Sequence, residues 1–123
     1  MSAMGLPGND LNRQAFLDSL ESGDAALLQL CPGIKLCTLQ VGARKGLSLQ
    51  IAGEALQAGQ LQRVLERRFE QAIAFEGCFA YLDGKRALVI WHALPAQRTA
   101  LEPTLSRMLS LANLEALDGG MAR

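Results

Sequence analysis

Residues 76–95, EGCFAYLDGKRALVIWHALP, decide how the rest of the chain is arranged. Two apolar runs, Cys78–Leu82 and Ala87–Leu94, flank Asp83-Gly84. Asp-Gly between apolar runs is a strong hairpin signal, because a two-residue type I′ turn needs positive φ at both central positions. Such a turn predicts Leu82 opposite Lys85, Tyr81 opposite Arg86 and Phe79 opposite Leu88. One face would then carry Phe79, Tyr81, Leu88, Ile90 and His92, and the other Cys78, Ala80, Leu82, Val89 and Trp91. Both faces are apolar, so the ribbon is expected to be covered on both sides.

Before the ribbon, residues 60–75 place Leu61, Val64, Leu65, Phe69, Ala72 and Ile73 at helical spacing, with charged residues mostly on the opposite side. Earlier still, Ile34–Val41 and Leu47–Ala52 read as a second strand pair joined by GARKG at Gly42–Gly46. Leu47, Leu49 and Ile51 alternate with Ser48 and Gln50, the pattern of a half-buried antiparallel strand. The first helix is expected from Asn9 or Asp10 to Ser22, stopped by Gly23. Its stripe is Leu11, Ala15, Phe16 and Leu20, widened by Leu17. Ala25–Leu30 reads as a short helical turn, broken by Cys31-Pro32-Gly33.

After the ribbon, a last helix runs to Leu117 and starts either at a Thr99-x-x-Glu102 capping box or with Pro103 as first helical residue. Its stripe of Leu101, Leu105, Met108, Leu109, Ala112 and Leu117, extended by Leu111 and Leu114, is wider than one sheet face would bury. Met1–Gly8 and the stretch from Asp118 read as flexible ends. The expected architecture is one α+β domain over residues 1–123, its helices packed on a twisted antiparallel sheet, in the order α-β-β-(β)-α-β-β-α.

Composition narrows the function. Twelve Lys and Arg balance 12 Asp and Glu, which argues against a nucleic acid partner, since phosphate contacts need a basic surplus. There is no membrane span, which would need about 18 consecutive apolar residues, and no basic segment leading into an apolar core at the start, so a cytoplasmic protein is expected. Cys31, Cys37 and Cys78 are odd in number and wrongly spaced for zinc, the pattern of reduced cysteines. His92 is the only histidine, so no metal cluster or histidine relay is expected, and no cofactor. The chain has no phosphate loop, dinucleotide fingerprint or nucleophile elbow, and we read it as a non-enzyme.

The run FEQAIAFEGCFAYLDGKRALVIWHALPAQRTALEPTLSRMLSLAN, residues 69–113, resembles the C-terminal half of the class I type III secretion chaperones, the Tir-chaperone family. Phe69, Gly77-Cys78-Phe79, Leu82-Asp83, Leu88–Trp91, Leu94-Pro95 and the Leu101–Leu109 helix stand where that family has a helix end, an aromatic strand, a turn, a strand closing on Leu-Pro and an amphipathic helix. The resemblance implies a cytoplasmic, non-enzymatic homodimer that holds an extended N-terminal segment of a secreted effector ready for export, with the secretion ATPase as a further partner. It places the dimer contact on Leu61, Leu65, Arg68, Phe69, Cys78 and Ala80. Effector binding would fall on the first helix and first strand pair, at Leu11, Phe16, Leu17, Leu20, Leu36, Thr38, Leu49 and Ile51. Two other readings stay open: a roadblock-like dimeric adaptor for folded partners, and a small enzyme using His92 and a cysteine.

Overall fold

A computed structural model describes residues 8–117. The leader before Gly8, the tail from Asp118 and the side chains of Asn9 and Asp10 (the expected helix caps), Leu11, Asn12 and Ala116 lie outside the described residues. Helix α1 spans Gly8–Ser22 and stops where Gly23 turns left-handed, at φ 85°. The Gly23 N–H donates to the Leu20 carbonyl and the Asp24 N–H to that of Ser19, which closes the helix end in a Schellman motif.

The segment after it is a strand, β1 (Leu27–Cys31), and not the helical turn expected at Ala25–Leu30. Between Gly23 and Pro32 there is too little chain to nucleate a helix. Pro32 and Gly33, the latter at φ 85°, instead supply the second and third positions of a type II turn. That turn reverses the chain into β2 (Ile34–Thr38), and β3 (Gly46–Ile51) follows.

Helix α2 covers Gln60–Glu70, shorter than its apolar pattern, so Ala72 and Ile73 fall in the turn leading to β4 (Cys78–Leu82). Strand β5 is Leu88–Ala93 and helix α3 Leu101–Leu111. Pro103 is the third residue of α3, after a 3-10 turn at Arg98–Ala100. The helix ends before Leu117 because Asn113 adopts φ 63° and Leu114 N–H bonds back to the Leu109 carbonyl, 2.8 Å away.

All pairings are antiparallel, in the order β1-β2-β3-β5-β4, giving the α-β-β-β-α-β-β-α form of the expected α+β fold. The β4–β5 hairpin differs in register from the Asp-Gly reading. Leu82 faces Leu88, Tyr81 faces Val89 and Phe79 faces Trp91. Asp83 N–H bonds to the Ala87 carbonyl and Arg86 N–H to the Asp83 carbonyl, so the loop holds three residues, and Arg86 takes the left-handed position at φ 65°. The Asp83 carboxylate fixes this loop by accepting the N–H groups of Lys85 and Ala87.

The slip of three positions, an odd number, reverses which residues share a face. Cys78, Ala80 and Leu82 lie with Leu88, Ile90 and His92 on the helix side. Phe79 and Tyr81 lie with Val89 and Trp91 on the other side. Nor is the ribbon covered throughout: β5 is largely buried, while β4 is an edge strand with Phe79, Tyr81 and Leu82 exposed.

The core fills the space between the sheet and the helices, where Phe16, Leu17 and Leu20 meet Ile34, Leu36, Leu49, Ile51, Leu88 and Ile90. The wide stripe of α3 has a structural cause. It packs on the sheet and is tied to its neighbours on both sides, through Arg13–Glu102 to α1 and Gln60 Nε2 to the Ala112 carbonyl in α2's direction. Among the described residues, no helix is long and apolar enough to cross a membrane.

Candidate protein-binding surfaces

The residues expected to bind an effector are mostly core. Phe16, Leu17 and Leu20 are at most 3% exposed, and Leu36, Leu49 and Ile51 are at 0%. These side chains belong to the core between α1 and the sheet, with Phe16 and Leu20 reaching the border of open hollows. Thr38 is half-buried and its Oγ1 accepts the Ala26 N–H at 3.2 Å. What lies open instead is the edge of β1.

Thr38 N–H donates to the Ala26 carbonyl, which turns Ala26 toward β2 and, by alternation, the backbones of Leu27 and Gln29 outward. Beside this edge runs an open groove of about 470 Å³ against α1, bordered by Ala15, Phe16, Ser19 and Ala25–Gln29. Of the expected cargo residues, Phe16 reaches it. Leu27 is 59% exposed at the strand's start. This edge exists because strand β1 takes the place of the helical turn expected at Ala25–Leu30, and Cys31-Pro32-Gly33-Ile34 is itself a turn signature that signals it.

The residues expected at a dimer contact divide differently. Leu65 is 47% and Phe69 84% exposed, Leu61, Arg68 and Ala80 are half-buried, and Cys78 is fully buried. Arg68 Nε donates to the Cys78 carbonyl at 2.7 Å, which pins α2 beside the β4 edge. Ile73 and Leu82, also largely exposed, extend the apolar surface beyond the expected set. Leu65 and Phe69 are one turn apart on α2, and apolar side chains exposed side by side are a mark of a protein contact.

Cys78 and His92 are cross-strand partners. Burial pushes the Cys78 thiol up, against the opposing pull of Arg107 and Arg68, which is the wrong direction for a nucleophile. His92 Nδ1 donates to the Ala93 carbonyl at 2.7 Å, and its ring packs against Gly77, where a Cβ would meet Nε2 at 2.8 Å. Gly77 also sits at φ 88°, a second reason for glycine there. No group of three or more metal-ligating side chains occurs among the described residues.

The sheet face away from the helices carries Cys37, Ser48, Gln50, Val89, Trp91, Phe79 and Tyr81. Trp91 is buried there by the β2–β3 loop: its Nε1 donates to the Leu39 carbonyl at 2.8 Å, and the Arg44 guanidinium stands over its ring, 5.5 Å from the centroid. Phe79 flanks it at 6.2 Å. Gly46 lets the ring lie directly on the backbone of β3.

A family model described as HrpV-like matches residues 7–117, nearly the whole chain. No curated protein and no solved structure matches it.

Proposed function

Because the chain belongs to the HrpV-like family, which is associated with type III secretion and linked to its regulation, we propose that it serves that system as a non-enzymatic, chaperone-like binding protein. In this reading two copies pair through α2 and β4, and an extended effector segment adds to the β1 edge. The observation that carries the reading is the set of exposed apolar side chains Leu65, Phe69, Ile73 and Leu82 on α2, β4 and the turn between them, where the Arg68–Cys78 bond ties the two elements together. The open β1 edge supports the cargo half, because strand addition uses backbone hydrogen bonds and tolerates varied cargo sequence.

Sedimentation tests the pairing. Phe69→Asp should convert a dimer to a monomer, since an isologous contact presents each changed residue twice. A wild-type protein that sediments as a monomer at about 50 μM, well above the Kd of an ordinary stable interface, would defeat it. Leu27→Pro tests the cargo site. It removes an outward N–H, a position where proline is tolerated in an edge strand, so the fold should survive while capture of a disordered N-terminal effector segment is lost. Unchanged capture by a folded Leu27→Pro variant would remove cargo from this edge.

The burial of six expected cargo residues favours a second reading, an adaptor that docks folded partners through the α2–β4 surface. Binding of a short effector-derived peptide separates the two, since an adaptor of this kind would not hold one.

A further inference from the structure

Strand β4 is a sheet edge without the devices that keep edges from pairing. Its sequence, CFAYL, holds no charge and no proline, and it runs beside β5 in unbroken register. At the far edge, β1 has a register shift between Gln29 and Cys31 and is followed by Pro32. Charges, prolines and bulges are the means by which edge strands avoid edge-to-edge association. β4 is also apolar on both faces. Phe79 and Tyr81, 53% and 41% exposed, stand on the face away from the helices, and Leu82, 46% exposed, on the helix side. A partner laid on one face would leave the other open, whereas a further strand flanks both.

Backbone geometry fixes where such a strand would sit. Asp83 N–H bonds across the hairpin to the Ala87 carbonyl, so by alternation Tyr81 and Phe79 turn their backbones toward β5 and Ala80 and Leu82 turn theirs outward. The outward groups of Ala80 and Leu82 have no hydrogen-bond partner among the described residues. Cys78 also faces outward, but its N–H is held by the Phe75 carbonyl and its carbonyl by Arg68 Nε.

We infer, resting on the pairing of two copies proposed above, that the copies join β4 edge to β4 edge in an antiparallel register centred on Tyr81. Ala80 of each copy then faces Leu82 of the other, so every free outward N–H and carbonyl of one strand meets its complement. Centring on Ala80 would set Leu82 against the engaged Cys78, and centring on Leu82 would set Ala80 against Gly84 in the turn; each leaves free groups unmet. The side chains fit the same register. On the helix side a small Ala80 meets a large Leu82. On the other face Tyr81 meets its own copy, with Phe79 diagonal to it and Trp91 beyond. The strand is its own complement, which selects a second copy as the occupant. Two five-stranded sheets become one of ten strands. Helix α2, tied to the start of β4 by Arg68, brings Leu65 and Phe69 beside the same seam.

Disulfide trapping tests the register. Directly opposed residues of a non-hydrogen-bonded antiparallel pair have Cα atoms about 4.5 Å apart, within reach of a disulfide, whereas diagonal neighbours at about 7–8 Å are not. In a Cys31→Ser/Cys37→Ser chain, which keeps only the buried Cys78, Tyr81→Cys should cross-link two copies under mild oxidation. It should do so at least about tenfold faster than Ala80→Cys or than Gln40→Cys, an exposed control in the β2–β3 loop. Faster linkage through Ala80→Cys would overturn the register, and Tyr81→Cys no faster than Gln40→Cys would overturn strand pairing altogether. Sedimentation then separates the two levels of the argument. A wild-type dimer that Phe69→Asp dissociates keeps the α2 contact without the strand seam, while a wild-type monomer at about 50 μM removes both. A monomer whose Tyr81→Cys variant links instead to a cysteine-bearing effector segment would give this edge to cargo and overturn the inference.

Discussion

Gly46→Ala is the sharpest test of how the open sheet face is built. An ideal Cβ at Gly46 falls on Cε2, Cζ2 and Nε1 of Trp91, far inside contact distance, so the indole must move off β3. Moving it breaks the 2.8 Å bond to the Leu39 carbonyl and the Arg44 stacking. Overpacking of this kind costs about 1–3 kcal/mol, and a stranded buried donor about 1–3 more. The lower chain entropy of alanine returns about 0.5–1. A net loss of about 2–4 kcal/mol corresponds to a fall in Tm of roughly 8–15 °C for a domain of this size. Thermal melts followed by circular dichroism and by Trp91, the only tryptophan, supply the measurement. The control is Trp91→Leu with and without Gly46→Ala. If the clash is with the indole, the alanine should cost far less in the leucine background, a coupling that a double-mutant cycle reads directly. A wild-type Tm for Gly46→Ala, or fully additive losses, would refute the reasoning.

Two further outcomes follow from the hairpin and its partner strand. Arg86→Gly should stabilise the chain by about 0.5–1 kcal/mol, since the left-handed backbone at φ 65° costs an L-residue about that much more than it costs glycine; chemical denaturation reads the gain, and an unchanged or lower midpoint would count against the three-residue loop. The Cys78 thiol is pushed up by burial, so above the ordinary thiol value the folded chain holds a proton that the unfolded chain has released. Stability present below about pH 8.5 should therefore fall as pH rises through the folded value, and urea midpoints of wild type and Cys78→Ala should converge there; parallel pH profiles would show that Cys78 does not contribute.

Most of the architecture is legible in the chain because its signals are local. Gly23 ends α1, and Leu47, Leu49 and Ile51 line the core face as their alternation predicts. The hairpin forms where Asp-Gly predicts it, but three positions out of the predicted register. Asp-Gly suggested the shortest turn, whereas Asp83 caps a longer one with its carboxylate and leaves the strained position to Arg86. That is a side-chain hydrogen bond, invisible to a pattern of apolar residues. The missing β1 had a similar cause: five residues before Pro-Gly carry no periodicity of their own, and their strand state is set by pairing with β2. Site residues were harder still. An apolar stripe on α1 looks the same whether it lines a groove or fills a core, and only the neighbouring strands decide that Phe16, Leu17 and Leu20 are buried. On α2 the equivalent stripe has fewer neighbours, which is why Leu65 and Phe69 stay exposed.

The two edges of the sheet differ in what they can offer a partner. Cys78, at the start of β4, points its backbone away from β5, yet both of its groups are engaged: the N–H with the Phe75 carbonyl at 3.0 Å, the carbonyl with Arg68 Nε. Beyond Cys78 the outward backbones of Ala80 and Leu82 remain, as many as β1 offers at Leu27 and Gln29, so the two edges are separated by the side chains beside them. Side-chain packing of Leu65, Phe69, Ile73 and Leu82 is then the stronger means of association on that side, which suits a fixed, isologous contact. At β1 the balance reverses. The outward backbones of Leu27 and Gln29 border a groove, while the apolar residues behind them are buried in the core. An edge of that kind selects weakly by side chain and accepts varied extended segments. The asymmetry supports a division in which α2–β4 holds a constant partner and β1 a variable one, as the proposed function requires.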